Sequence, residues 1–130
     1  MKISFLCFDI SDNSFGRAAL LAQALADRFE VELVGPARRG EIWPPLKDTR
    51  LKVKLFPWRR YPGFLGTIRE IRKAIDGDVI YACKLRPTSF GIGLLETAAS
   101  GKPLLADIDD WELGFFYRAG FWGRVGRFLN

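Results

Sequence analysis

The sequence predicts an α/β domain, a parallel sheet with flanking helices. Three observations carry that expectation. Short apolar runs of strand length alternate with stretches of helical period. Lys2–Gly35 closes a β-α-β unit, and Asp78–Glu112 reads as strand, polar loop, helix, strand and acidic turn. At 130 residues the chain is about one domain long. A chain of that size hides roughly two-thirds of its unfolded surface on folding.

Each element follows from its residues. Lys2–Phe8 (KISFLCF) is a strand, and Asp9–Ser14 (DISDNS) is a turn cluster with Asn13 or Ser14 as N-cap. A helix then runs through Phe29, with Ala18, Leu21, Leu25 and Phe29 on one face. Glu30–Gly35 alternates as a second strand, ended by Gly35-Pro36, and a right-handed crossover makes it parallel to the first. Ala37–Arg50, with Pro44-Pro45 beside Trp43, is irregular and longer than most connections.

Leu51–Phe56 alternates apolar residues with lysines, as a strand near a sheet edge does. Pro57–Pro62 is a rigid aromatic-basic loop. The helix at Gly63–Ile75 has Phe64, Ile68, Ile71 and Ile75 on its core stripe. Asp78–Cys83 is apolar and β-branched, as a buried parallel strand should be. Lys84–Ser89 is a basic, hydroxyl-bearing loop, with Pro87 suited to a first helical turn. From Phe90 the residues Phe90, Leu94, Leu95 and Ala98 repeat with helical spacing, and Gly101 stops the helix. Pro103–Ile108 is the fifth strand, followed by Asp109-Asp110-Trp111-Glu112. Residues 1–112 thus make a Rossmann-like domain. Leu113–Asn130, rich in glycine, aromatics and arginine, reads as an amphipathic segment leading into a remainder that lies elsewhere.

Composition narrows the chemistry. There is no histidine, which removes Ser-His-Asp, Cys-His and His-metal arrangements; no metal site is expected. Cys7 and Cys83 fall in predicted strands and read as reduced core residues. No apolar run reaches the roughly 18 residues of a membrane span. Met1-Lys2 leads straight into strand pattern, so no signal peptide is read and a cytoplasmic location is expected. Net charge is +5, and Pro36–Lys73 alone holds eleven Lys/Arg against three acids, a balance of +8. Such a sector suits an anionic partner or is a solvated basic face. Trp58, Arg59, Arg60, Arg69, Arg72 and Lys73 are the residues that could meet an anionic membrane, peripherally at its inner face.

Familiar motifs fail one by one. Gly91-Ile92-Gly93 lies seven residues beyond its strand, too far for a dinucleotide-binding turn; close helix–sheet packing accounts for it better. Receiver domains need an aspartate after strand three and a lysine after strand five, where this chain has Phe56-Pro57-Trp58 and Asp109-Asp110-Trp111. Walker, CxxC and GxSxG patterns are absent. What remains is the turn Asp9–Arg17 feeding a helix N-terminus, which can offer N–H groups to an anion or simply be a capped helix.

The NSFGR turn, the run Leu21–Pro36 and the stretch Asp78–Glu112 together resemble the N-terminal domain of family-4, retaining, nucleotide-sugar-dependent glycosyltransferases of GT-B architecture. The resemblance covers about Lys2–Glu112. It implies an acceptor-side domain that binds no cofactor itself and works with a C-terminal domain holding the nucleotide-sugar. It also implies a hexose-type sugar passed to a sugar or glycolipid acceptor.

Two positions depart from the pattern. Many members carry Gly-Gly after strand one, where this chain has Asn13-Ser14-Phe15-Gly16. Many carry His-Asp after strand five, where it has Asp109-Asp110. On this reading Lys84, Arg86, Thr88 and Ser89 line a cleft and meet phosphate oxygens. Asn13, Ser14 and Gly16 form the opposite wall, and Asp109 and Asp110 close it as catalytic carboxylates. The rival expectation is a non-enzymatic module using the 36–73 sector on a membrane or, less favoured, on nucleic acid.

Overall fold

The computed structural model describes residues 1–108 and 120. Strands β1 (Lys2–Leu6), β2 (Glu30–Ala37), β3 (Lys52–Pro57), β4 (Val79–Cys83) and β5 (Leu104–Asp107) form one sheet in the order β3-β2-β1-β4-β5. All four pairings are parallel. The helices are α1 (Ser14–Leu25), α2 (Phe64–Ala74) and α3 (Ile92–Ser100). The chain is therefore an α/β protein with a Rossmann-like sheet. No helix among the described residues is long and apolar enough to cross a membrane.

Strand alternation distributes the core over two faces. Ile3, Phe5 and Cys7 of the first strand and its extension join Val31 and Leu33 under α1, against Phe15, Ala18, Ala19 and Ala22. Leu6, Val34 and Ile80 point the other way, against Ile71 and Ile75 from α2 and its end and Ile92 of α3. Phe5 and Phe15 are fully buried, and each such side chain contributes about 1.5–3 kcal/mol. Cys7 and Cys83 are buried, unbridged thiols, as expected, and burial raises the pKa of Cys7.

Several boundaries and faces differ from expectation. Helix α1 stops at Leu25, because Ala26 N–H turns back to Gln23 O and both Arg28 and Phe29 bond Leu25 O. Strand β2 continues through Pro36. The Pro36 carbonyl accepts from Ile10 N–H, so its missing donor faces the side where β1 has already ended. The long connection holds a 3₁₀ turn at Pro44–Leu46. A π-helical turn, Pro87–Gly91, precedes α3. It rotates the helix so that Ile92 and Gly93 are buried while Leu94, Leu95 and Ala98 face outward. The expected apolar stripe of that helix is thus corrected.

Close packing explains the second glycine of the Gly-Ile-Gly run, and only the second. A Cβ at Gly93 would lie 2.8 Å from Leu104 Cδ1 and 3.5 Å from Leu6 Cδ1, whereas one at Gly91 meets nothing closer than 3.8 Å.

At the N-terminal end of the sheet an ionic network is built around Glu32, which is fully buried. Gly77 N–H donates to Ser4 Oγ (2.9 Å), which donates to Glu32 Oε1 (2.7 Å). Glu32 Oε2 is held by charge, with Lys54 Nζ at 2.8 Å and Lys2 Nζ at 3.2 Å. Lys2 also reaches Asp76 at 2.5 Å, and Lys54 donates to Ala74 O at the end of α2 (2.6 Å). A cation at a helix C-terminus is favoured there. The network fastens β1, β2, β3 and α2 to one another.

Two outcomes test these contacts. Gly91→Ala should stabilise by up to about 1 kcal/mol through helix propensity. Gly93→Ala should lose that gain or reverse it, since crowding of this kind costs about 1 kcal/mol or more; equal shifts in Tm for both would show that α3 is not pinned at Gly93.

Contact with Lys2, then the weaker contacts to Glu32 and Lys54, holds the Asp76 carboxyl well below its ordinary range against burial. The unfolded chain therefore takes up a proton first as acid is added. The stability owed to Asp76 is complete well above the ordinary carboxylate value of 3.8 and drains as pH falls from there down through the lowered native-state value. Asp76→Asn should flatten the acid limb of a Tm-against-pH curve, while Glu32→Gln should destabilise at neutral pH by on the order of 3 kcal/mol.

Candidate functional site

The order of strand addition reverses between β1 and β4, because α2 carries the chain from β3 at one edge back across to β4. Ligand crevices in open α/β sheets lie at such a point, beyond the carboxyl ends of the strands. Here the segments leaving β1, β2, β3 and β4 meet there.

The segment after β1 is organised by Asp9, which is buried. Its Oδ1 accepts from Ser11 N (2.9 Å), Ser11 Oγ (2.6 Å) and Arg38 N (3.2 Å), and Oδ2 lies 3.7 Å from Arg38 Nε. Ser11 Oγ in turn accepts from Arg39 N (3.1 Å). Asp9 thus ties the β1 loop to the end of β2. The sequence signal was an aspartate two residues before a serine at a strand end, an Asx-type turn, and it passed as an ordinary turn cluster.

Asn13, Ser14 and Gly16 lie at the turn into α1 and its first residues. Asn13 is the N-cap residue of α1 but makes no side-chain cap bond; Asp12 Oδ1 accepts from Ser14 N instead (2.7 Å). Asn13 is exposed, and Ser14 Oγ donates to Asp9 O (3.3 Å). Gly16 lies under an indole, since a Cβ there would sit 3.0 Å from Trp43 Cζ3. Its small size serves packing of the long β2–β3 connection, which Trp43 N–H anchors to Ile10 O.

Across the crevice, the β4 segment begins at Lys84 with φ 77°, a left-handed backbone that non-glycine residues seldom adopt. Its amide donates to Asp107 O and its carbonyl accepts from Ser89 Oγ (2.7 Å). Thr88 Oγ1 donates to Phe8 O (3.0 Å). Both hydroxyls are buried and spend their protons on the main chain, where they tie the β4 segment to itself and to the end of β1. Lys84 and Arg86 are half-buried at the same end.

A cation–aromatic cluster joins the segments. The Arg38 guanidinium lies 4.1 Å from the Trp58 ring centre and 5.7 Å from that of Phe8, and Arg86 lies 5.2 Å from Phe8. Phe8 and Trp58 meet edge to face at 6.1 Å, and Trp58 contacts Phe64 at 6.3 Å. Trp58, expected on a membrane face, is instead half-buried in this cluster. Each exposed cation–ring pair contributes about 0.5–1 kcal/mol, so the cluster fixes orientation more than it adds stability.

Arg17 on α1 reaches over to β5, with Nε and Nη2 donating to Asp107 at 2.6 and 2.8 Å. These bonds, with Arg17 and Lys84 charge, lower the Asp107 pKa against burial. Burial raises the pKa of Tyr81, and the Asp107 charge adds to the effect. Asp107 entered the sequence reading only as strand; its position as last residue of β5 was the available signal. Asp109 and Asp110, and the segment 113–130 apart from Gly120, lie outside the described residues. No group of three or more candidate ligands could hold a metal ion among the described residues.

Guanidinium groups and aromatic faces therefore stand together at this end of the sheet. In Arg17→Ala the Asp107 carboxyl should titrate at or above the ordinary 3.8, because burial then meets less opposition. Carbon-detected NMR titration reads this directly, and an unchanged low value would assign the depression to Lys84 instead. No protein-family model, curated protein or solved structure matches this chain, so the reading of the crevice rests on its geometry.

Proposed function

We propose that this chain is the acceptor-side domain of a nucleotide-sugar-dependent glycosyltransferase, with the crevice between β1 and β4 receiving a phosphorylated sugar or glycolipid acceptor. The observation that supports this most is the convergence of four strand ends on the Phe8–Arg38–Trp58–Arg86 cluster. Aromatic faces suit the apolar face of a sugar ring, and guanidinium groups suit phosphate through paired N–H donors. Lys84 and Arg86 contribute the charge nearest the switch point. Asn13 and Ser14 would frame the opposite side, and Asp109 and Asp110, next in sequence after β5 and outside the described residues, would be the catalytic carboxylates.

In this reading the domain supplies acceptor binding and orientation. The nucleotide-sugar is held by a second, donor-binding domain, and the reaction needs both reactants fixed against each other. The 130-residue chain alone should therefore show no turnover with a panel of nucleotide-sugars. It should still bind a sugar phosphate, and Arg86→Ala or Lys84→Ala should each weaken that binding about tenfold, the scale of one lost charge-assisted hydrogen bond. NMR titration with a sugar phosphate measures this. Sugar transfer by the chain alone, or unchanged binding in both variants, would remove the proposal.

A further inference from the structure

Helices α2 and α3 lie side by side on one face of the sheet, joined by the Arg72 Nε–Glu96 Oε2 contact of 3.0 Å. Their outward surface has two properties together. Leu65, Leu94 and Leu95 are 57%, 50% and 49% exposed, and Tyr61, just before α2, is 69% exposed. The surface is also basic. Trp58–Ile75 and Pro87–Lys102 hold six Lys/Arg and two acids, Glu70 and Glu96. Both acids are already engaged, by Arg59 at 3.0 Å and by Arg72. Arg60, Arg69 and Lys73 are exposed and, among the described residues, paired with no carboxylate.

We infer that the outward face of α2 and α3 attaches this protein to an anionic lipid bilayer. Leu65, Arg69 and Lys73 recur every four residues along one side of α2, so they share a face, and exposed Tyr61 lies in the turn just before the helix. The adjoining α3 adds the two leucines that its π-helical lead-in turns outward. Basic side chains draw such a surface to anionic headgroups, while leucine and tyrosine enter the boundary with the acyl chains. Nucleic acid fits less well. Stacking on bases needs exposed rings, and Trp58 is enclosed by Arg38, Phe8 and Phe64. That leaves Tyr61 beside three aliphatic leucines. The attachment face runs up to the crevice, because Arg60 and Tyr61 sit in the segment leaving β3, next to Trp58. A bilayer on this face lies beside the mouth of the crevice.

Co-sedimentation of the 130-residue chain with vesicles tests the inference. Phosphatidylcholine vesicles carrying phosphatidylglycerol should bind it at low salt, and phosphatidylcholine alone should not. The double variant Arg69→Ala/Lys73→Ala should weaken binding by roughly twenty-five-fold, at about fivefold per basic residue. Leu94→Ser/Leu95→Ser should weaken it while the protein still melts cooperatively, since both side chains are half exposed. Equal binding to neutral and anionic vesicles would overturn the inference. So would insensitivity to either double variant, or displacement from anionic vesicles by a single-stranded oligonucleotide that binds the leucine variant equally well.

Discussion

A strand that is buried on both faces needs cover on both, and β1 is that strand. Phe5 and Leu6 are adjacent, fully buried and point to opposite sides. Right-handed crossovers leave few ways to meet the demand. Helix α1 follows β1 outward on one side, and α2 and α3 return on the other. The reversal between β1 and β4 is the consequence, and it brings the ends of β1 and β4 side by side, the place where open α/β sheets seat ligands.

The two ends of the sheet are finished differently. At the N-terminal end, Glu32 is buried with Lys2, Lys54 and Ser4, so several charges are gathered into a closed network. Removing such ions from water is costly, and only mutual pairing with good geometry offsets it. At the C-terminal end Arg38 and Arg86 lie against aromatic rings on connecting segments, and Arg17 of α1 pairs with Asp107 at the end of β5. Asp9 belongs to that end too, but its oxygens face main-chain and serine donors and so serve to hold the segments in place.

The basic sector of the sequence divides in the same way. Arg38 goes to the crevice, where it stacks on Trp58. Lys54 goes to the buried network. Arg59 and Arg72 are used in ion pairs along the helical layer, and Arg60, Arg69 and Lys73 stay outside it. A single run of positive charge therefore serves three environments, and its net value of +8 across 36–73 described none of them individually.

Much of the architecture was legible without coordinates. All five strands lie where alternation and β-branched runs placed them, because periodicity records which face of an element is buried. The three helices also exist, and the stripe Ile68, Ile71, Ile75 packs as its spacing implied. The face of α3 was not legible. Phe90, Leu94, Leu95 and Ala98 satisfy a helical period, yet the π-helical turn before Ile92 shifts the phase, and Gly93 wins the sheet because only a residue without a side chain lets the helix approach Leu104 and Leu6. The roles of single polar residues were equally hidden. Thr88, Ser89 and Gly16 look like ligand-binding types in sequence, but their partners, Phe8, Lys84 and Trp43, are found through the packing of separate segments. Sequence alone determined which elements form and that cationic loops follow the strands. Tertiary structure decided which of those side chains face one another, since that depends on contacts between residues as far apart as Arg17 and Asp107, for which no local pattern exists.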